Sequence, residues 1–214
     1  MAKISLSFDN GPDPDVTPQV LDVLAGEGIR ASFFVLGQKI ADPSCRSLTE
    51  RAAAEGHWIG NHTYTHSVPL GEVTEPGRAG AEIRDTQALI SDLAHPDALF
   101  RPFGGGGVLG KHLLNAEARA VLEDDAMTCV LWNSIPEDWK DPEGWLDRAL
   151  AQIGELDHAL VVLHDLPTGA MNQLPTFIDR TRSAGHAFVQ GFPADCVPLR
   201  NGVAGSALDE YITQ

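Results

Sequence analysis

Two histidines four residues apart, His62 and His66 in the stretch NHTYTH, have the types and spacing that suit metal chemistry. In a helical turn that spacing puts both imidazoles on one face, and in a loop the pair can still share one ion. Two are too few for a catalytic centre, which usually takes three protein ligands and keeps a position open for water. The third donor must come from elsewhere, and either Asp9 or Asn10, in SLSFDNGPDP, is the obvious source. His164 ends the most apolar run of the chain, HALVVLHD, where a histidine is placed for acid–base work. Asp165 beside it reads as a turn or cap residue. Arg101 follows ALF and precedes PFGGGG, and taken alone it reads as a surface charge. The glycine tract 104–107 reads as a flexible or tightly turning loop; no Lys-Ser/Thr follows it to make a phosphate cradle.

The elements that must carry these residues are legible as seven short apolar, β-branched or aromatic runs. They are KISLSF, ASFFVL, HWIGN, ALF, MTCVLW, HALVVL and HAFVQ, and helical patterns separate them. Thr17-Pro18 puts a hydroxyl at an N-cap and proline at the first helical position, ahead of the stripe Val20, Leu21 and Leu24. Asp141-Pro142 repeats the device before Trp145, Leu146, Ala149 and Leu150. Gly56 and Gly185 follow helical runs where a left-handed residue is wanted. Strands separated by helices imply a parallel sheet, because parallel neighbours need long crossovers. Asp9-Asn10, the histidine pair, Arg101, Asp138 and His164 fall after strands in five separate places. A closed ring would gather them at the C-terminal mouth of a barrel, whereas an open sheet concentrates its ligand near one switch point. The expected fold is therefore an α/β barrel of seven parallel strands, forming one domain over residues 1–214.

The composition narrows the function. The chain has 214 residues and a net charge of −15, which disfavours phosphate backbones and anionic lipid and suits a neutral substrate. No stretch reaches the continuous apolar length of about 20 residues that crosses a bilayer. MAKISLSFDN has no apolar signal core, so the expectation is a cytoplasmic protein. Cys45, Cys129 and Cys196 are far apart, with no CxxC pair, and read as reduced, packed thiols. Neither the oligomeric state nor the identity of the substrate is written in the sequence.

Taken together, these parts resemble the polysaccharide deacetylases of the nodulation type, carbohydrate esterase family 4. Five blocks appear in order: SFDNGP, HTYTH, RPFG, PEDW and VVLHD. TPQVLDVL, ASFFVLG and EIRDTQALI support them. The resemblance implies a distorted (β/α) barrel with seven strands and a divalent-metal-dependent hydrolysis of an N-acetyl amide, with zinc as the expected ion. It assigns Asp9 as general base, and Asn10, His62 and His66 as metal ligands. His164 becomes the general acid, Arg101 the partner of the base, and Asp138 the carboxylate that holds the acid. Trp139 becomes a pocket wall, and Phe103 a source of a backbone N–H for the oxyanion.

Two departures from the family pattern stand out. Asn10 occupies a position where the family usually has a second aspartate, so the ion would be held by neutral donors. RPFG is one residue shorter than the usual block, which bears on the assignment of Phe103. The implied substrate is an N-acetylated amino sugar, oligosaccharide or glycoconjugate. The alternatives are a non-carbohydrate amide, in an allantoinase-like reaction that need not use metal, and a non-catalytic sugar-binding barrel.

Overall fold

The computed structural model describes residues 1–213. All seven expected strands are present: β1 (Lys3–Asp9), β2 (Ser32–Val35), β3 (Trp58–Asn61), β4 (Leu99–Phe100), β5 (Thr128–Cys129), β6 (His158–His164) and β7 (Ala187–Phe188). The helices between them are α1 (Thr17–Glu27), α2 (Gly37–Ile40), α3 (Pro43–Ala54), α4 (Arg78–Ile90), α5 (Ala116–Asp124), α6 (Trp145–Gly154) and α7 (Leu174–Ser183). Two further short strands, β8 (Leu199–Arg200) and β9 (Val203–Ala204), form a hairpin that pairs antiparallel with β5.

The parallel order is β6-β1-β2-β3-β4-β5, and β7 pairs with the start of β1. Pairing from β3 to β5 extends over only one or two residues per strand. The seam between β5 and β6 is closed by an isolated parallel bridge, Ser134 with Val161. Asn133 reinforces it, donating to the His158 carbonyl and accepting from the Leu160 N–H. The result is a curled, distorted (β/α) barrel.

Alternation along β1 decides what faces where. Ile4, Leu6 and Phe8 join the core formed with Val20, Leu21 and Leu24 of α1 and with Trp145 of α6. Ser5, Ser7 and Asp9 occupy the opposite face, because successive side chains of a strand point to opposite sides. Phe34, Leu99, Val130 and Leu160 make a smaller cluster of their own. Register then places Asp9 directly beside His164, on adjacent strands and at the same end.

Helix starts depart from the sequence reading. Thr17 is the first residue of α1, and its hydroxyl caps nothing. It accepts the Asp13 N–H and donates to the Asp165 carboxylate, while Asp13 itself takes the N–H groups of Asp15 and Val16. Asp141 closes a turn through the Gly144 N–H, and α6 begins one residue later, at Trp145. Gly56 (φ 87°) and Gly185 (φ 82°) do hold the left-handed positions after α3 and α7.

Candidate active site

Four strand ends deliver the chemistry. Asp9 ends β1 and His164 ends β6, while His62 and Arg101 directly follow β3 and β4. The ladder continues through them, with the His62 N–H on the Val35 carbonyl and the Arg101 N–H on the Asn61 carbonyl.

Arg101 is not a surface charge, since it is fully buried. Its Nη1 donates to Asp9 Oδ1 at 2.8 Å and to Ser7 Oγ at 2.7 Å. Nε and Nη2 reach the Val130 and Leu131 carbonyls, and the guanidinium lies 4.0 Å over the Phe34 ring. Every contact fixes the plane of the guanidinium, and the ion pair fixes one oxygen of Asp9. A buried charge is tolerated only when it is paired and hydrogen-bonded in this way.

His164 is held differently. Its Nδ1 donates to Asp138 Oδ1 at 2.8 Å, and its backbone N–H donates to Oδ2 of the same carboxylate at 2.9 Å. Burial pulls the imidazolium down, but the Asp138 hydrogen bond and charge, with Asp9 and Asp165 behind them, outweigh it and raise the pKa above the ordinary histidine value. The Trp139 and His164 rings meet in a T-shaped arrangement, with centroids 4.7 Å apart.

His62 and His66 sit in a loop, not on a helix face, with ring centroids 4.7 Å apart. His62 Nδ1 meets the Arg101 carbonyl at 2.8 Å, so it carries the proton and Nε2 keeps its lone pair. That Nε2 lies 3.6 Å from Asp9 Oδ2. Burial pushes both imidazoles down to about 3, so at ordinary pH they are neutral and able to ligate. The Phe103 ring covers His66 at a centroid separation of 3.8 Å.

Among the described residues, no three His, Cys, Asp or Glu side chains form a metal-binding group. Asn10 belongs to none of those types. Its Oδ1 is buried and has no hydrogen-bond partner, the state expected of an oxygen that is satisfied by an ion. Asn10 adopts a left-handed backbone (φ 68°), which asparagine tolerates better than most residues. The donors present therefore fit an open-sided set of two histidines and one asparagine.

The residues converge on a cavity of about 320 Å³. Asp9, Asn10, His62, His66 and His164 form its polar part, and Phe103, Trp132, Ile135 and Trp139 form apolar walls. The tract 104–107 closes one side, and Trp132 Nε1 donates to the Gly107 carbonyl. Gly105, Gly106 and Gly107 all have positive φ, so the tract turns tightly. A larger recess of about 710 Å³ at the start of the strands, beside Arg30 and His57, holds none of these groups.

Sequence reasoning missed several supports. Ser7 shares Arg101 with Asp9, and Asn61 and Glu82 hold the histidine loop. Asp165 is neither a turn nor a helix-cap residue. It is fully buried, accepts the Thr17 hydroxyl, and burial pushes its carboxyl up to about 7. Alternation along HALVVLHD was the available signal: His164 shares a face with Leu160 and Val162, so Asp165 leaves on the other side.

Residues 2–129 match the family model described as polysaccharide deacetylase. The chain belongs to the polysaccharide deacetylase family. A chitooligosaccharide deacetylase of Rhizobium leguminosarum bv. phaseoli is 35% identical over 172 residues, covering 78% of this chain and 70% of the relative. The peptidoglycan-N-acetylglucosamine deacetylase of Listeria monocytogenes is 29% identical over 189 residues, which are 87% of this chain but 37% of that protein. The chain thus spans little more than a third of the length of that relative. Among solved structures, a family 4 carbohydrate esterase from Streptomyces lividans superposes with a TM-score of 0.74 at 27% identity, covering 92% and 96% of the two chains.

Proposed function

We propose that this protein hydrolyses the acetamido group of an N-acetylated amino-sugar oligomer or polymer, with a divalent ion, zinc by preference, held by Asn10, His62 and His66. The observation that carries this reading is two proton-transfer groups with separate partners, side by side in one cavity. Asp9 is tied to Arg101 through Oδ1, which leaves Oδ2 to take a proton, while His164 is bound by Asp138, which raises its pKa and suits it to act as an acid. The relatives act on peptidoglycan and chitooligosaccharide by name, and the aromatic walls Phe103, Trp132 and Trp139 suit the apolar faces of sugar rings.

A bound divalent ion supplies Lewis-acid polarisation and lowers the pKa of water from about 15.7 toward about 7. Asp9 accepts a proton from the attacking water, using Oδ2, the oxygen not tied to Arg101. His164 delivers a proton from Nε2 to the nitrogen as the C–N bond breaks, because the amine cannot leave as an anion. Water oxygen ends on the acyl carbon, giving acetate and a free amine. The Phe103 backbone N–H is the proposed donor to the oxyanion, and Trp139 keeps water from the face of His164. Each proton-transfer group is worth on the order of 10²–10⁴ in rate.

The test is acetate release from N-acetyl chito-oligosaccharides and from peptidoglycan fragments, before and after chelation, for wild type, Asp9→Asn and His62→Ala. Loss in both variants and restoration by added metal in the wild type alone is the expected result. Release that is insensitive to chelation and to His62→Ala would overturn the metal-assisted reading. Turnover of cyclic ureides or simple amides, with none of amino sugars, would favour the allantoinase-like alternative.

A further inference from the structure

We propose that Glu82 on α4 is a positioning residue for the two histidines, holding their loop in the one shape that presents His62 and His66 together; this rests on the metal-site reading above. Glu82 is 8% exposed, and no cation pairs with it among the described residues. A buried carboxylate is costly unless it is well supplied with hydrogen bonds. Every donor found for it belongs to the histidine loop. Oε2 accepts the N–H groups of Tyr64 and Thr65 at 2.9 and 2.8 Å, and Oε1 accepts the Thr65 hydroxyl at 2.6 Å. An apolar residue would pack on α4 at lower cost, so the carboxylate is explained by what it holds.

The loop needs holding. Thr63 (φ 68°) and His66 (φ 53°) both lie in the left-handed region, which is unfavourable for side chains with a Cβ and most of all for a branched one. The other face of the loop is clamped independently. The Thr63 and Tyr64 carbonyls accept the N–H groups of Gly37 and Gln38, and the Gln38 side chain reaches the Thr65 carbonyl at 3.2 Å. Asn61 fixes the loop entrance, accepting the Thr63 N–H and donating to the Ile83 carbonyl. Glu82 is the carboxyl member of this clamp, and the one that takes the Tyr64 and Thr65 N–H groups between the two histidines. EIRDTQALI, the segment that carries it, thereby acquires a role in the site.

The distinguishing property is the placement of acceptors, not charge. Glu82→Gln can keep one carbonyl oxygen on both backbone N–H groups and donate from its amide to the Thr65 hydroxyl, which can turn toward Ser67. Glu82→Ala and Glu82→Asp cannot reach them. Titration of Co²⁺ or Zn²⁺ against a chromophoric chelator should show Glu82→Ala and Glu82→Asp weaker by about 10–100-fold, the usual cost of losing an outer-shell support. Glu82→Gln should stay within about threefold of wild type.

Amide hydrogen exchange on metal-free protein supplies the independent readout. Tyr64 and Thr65 should be protected in wild type and Glu82→Gln and lose protection in Glu82→Ala, while β1 and β6 stay protected in all of them. Wild-type metal affinity in Glu82→Ala, or Glu82→Gln as weak as Glu82→Ala, overturns the inference. Unchanged protection of the two amides in Glu82→Ala overturns it as well. A wild type that binds neither ion, yet shows the expected exchange pattern, refutes the metal reading and leaves the loop clamp standing as structure alone.

Discussion

Substituting Asp138→Asn should move the acid of this site by a definable amount. Asp138 is fully buried, and His164 is 8% exposed and makes two hydrogen bonds to it. The Asp138 hydrogen bond and charge are the main effects raising His164 above the ordinary histidine value, against burial. A hydrogen bond to a charged partner contributes about 1.5–3 kcal/mol, and a factor of ten is about 1.4 kcal/mol, so neutralising the partner lowers the His164 pKa and disfavours its protonated form by about 10–100-fold. Asparagine can keep the backbone N–H bond only by turning its amide nitrogen toward Nδ1, which also forces the wrong tautomer. The acid must be protonated to act, so activity falls as pH rises through its pKa. In Asp138→Asn the basic limb of kcat/KM therefore moves to lower pH, and above both limbs the rate is lower by about 10–100-fold. The stability sign agrees: a raised folded-state pKa stabilises fully below the unfolded value of about 6.5 and is lost as pH rises through the folded value. The Tm advantage of wild type over Asp138→Asn should accordingly be greatest below about pH 6.5 and shrink above it. Titrating the His164 ring protons by NMR in metal-free protein separates this group from any metal-bound water. A His164 pKa and a basic limb that are both unchanged in the variant would refute the assignment.

Asn10→Asp should tighten divalent metal by tenfold or more, equivalent to at least about 1.4 kcal/mol, in chelator competition, and Asn10→Ala should weaken it; equal affinities would remove Asn10 from the donor set. Gly11→Ala should destabilise by about 1–3 kcal/mol in urea unfolding, because a Cβ there would collide with the buried Asp165 carboxyl. Asp165→Ala should relieve most of that penalty in the double variant. Burial pushes the Cys129 and Cys196 thiols up to about 12, so an aromatic disulfide reagent should leave both unmodified in the folded protein and modify them in denaturant.

The strands were legible because each is an apolar run bounded by turn residues, and their order followed from the helices between them. The β8–β9 hairpin was not found, although Asn201-Gly202 is a good local hairpin signal and both residues have positive φ. Its strands are only two residues each and carry no alternation to flag them. Thr17 looked like an N-cap because hydroxyl-then-proline is the local signature. A residue 148 positions away, Asp165, claimed the hydroxyl instead, and Asp13 took over the turn. The site divides the same way. Residue types at strand ends marked Asp9, His62, His66 and His164, whereas Arg101 reads alone as a surface charge and was picked out by the resemblance. Ser7 and Glu82 carry no local mark, since their roles exist only once β1 meets β4 and α4 meets the histidine loop.

The charge balance around Asn10 shows why that position matters more than its neutral side chain suggests. Asp9 is matched by Arg101, and Asp138 by His164, whose pKa it raises, so both carboxylates already have partners of their own. His62 and His66 are neutral at ordinary pH, and Asn10 adds nothing. A divalent ion held there would keep its full charge uncompensated by its ligands, which weakens retention and strengthens its pull on a carbonyl oxygen. The net charge of −15 acts at longer range, drawing cations toward the protein and fading beyond a Debye length of about 8 Å at physiological salt. Capture and retention are then set by different parts of the chain: the surface field governs how fast an ion arrives, and the donor set governs how long it stays. Salt should therefore slow association with little effect on dissociation, whereas Asn10→Asp should act mainly on dissociation.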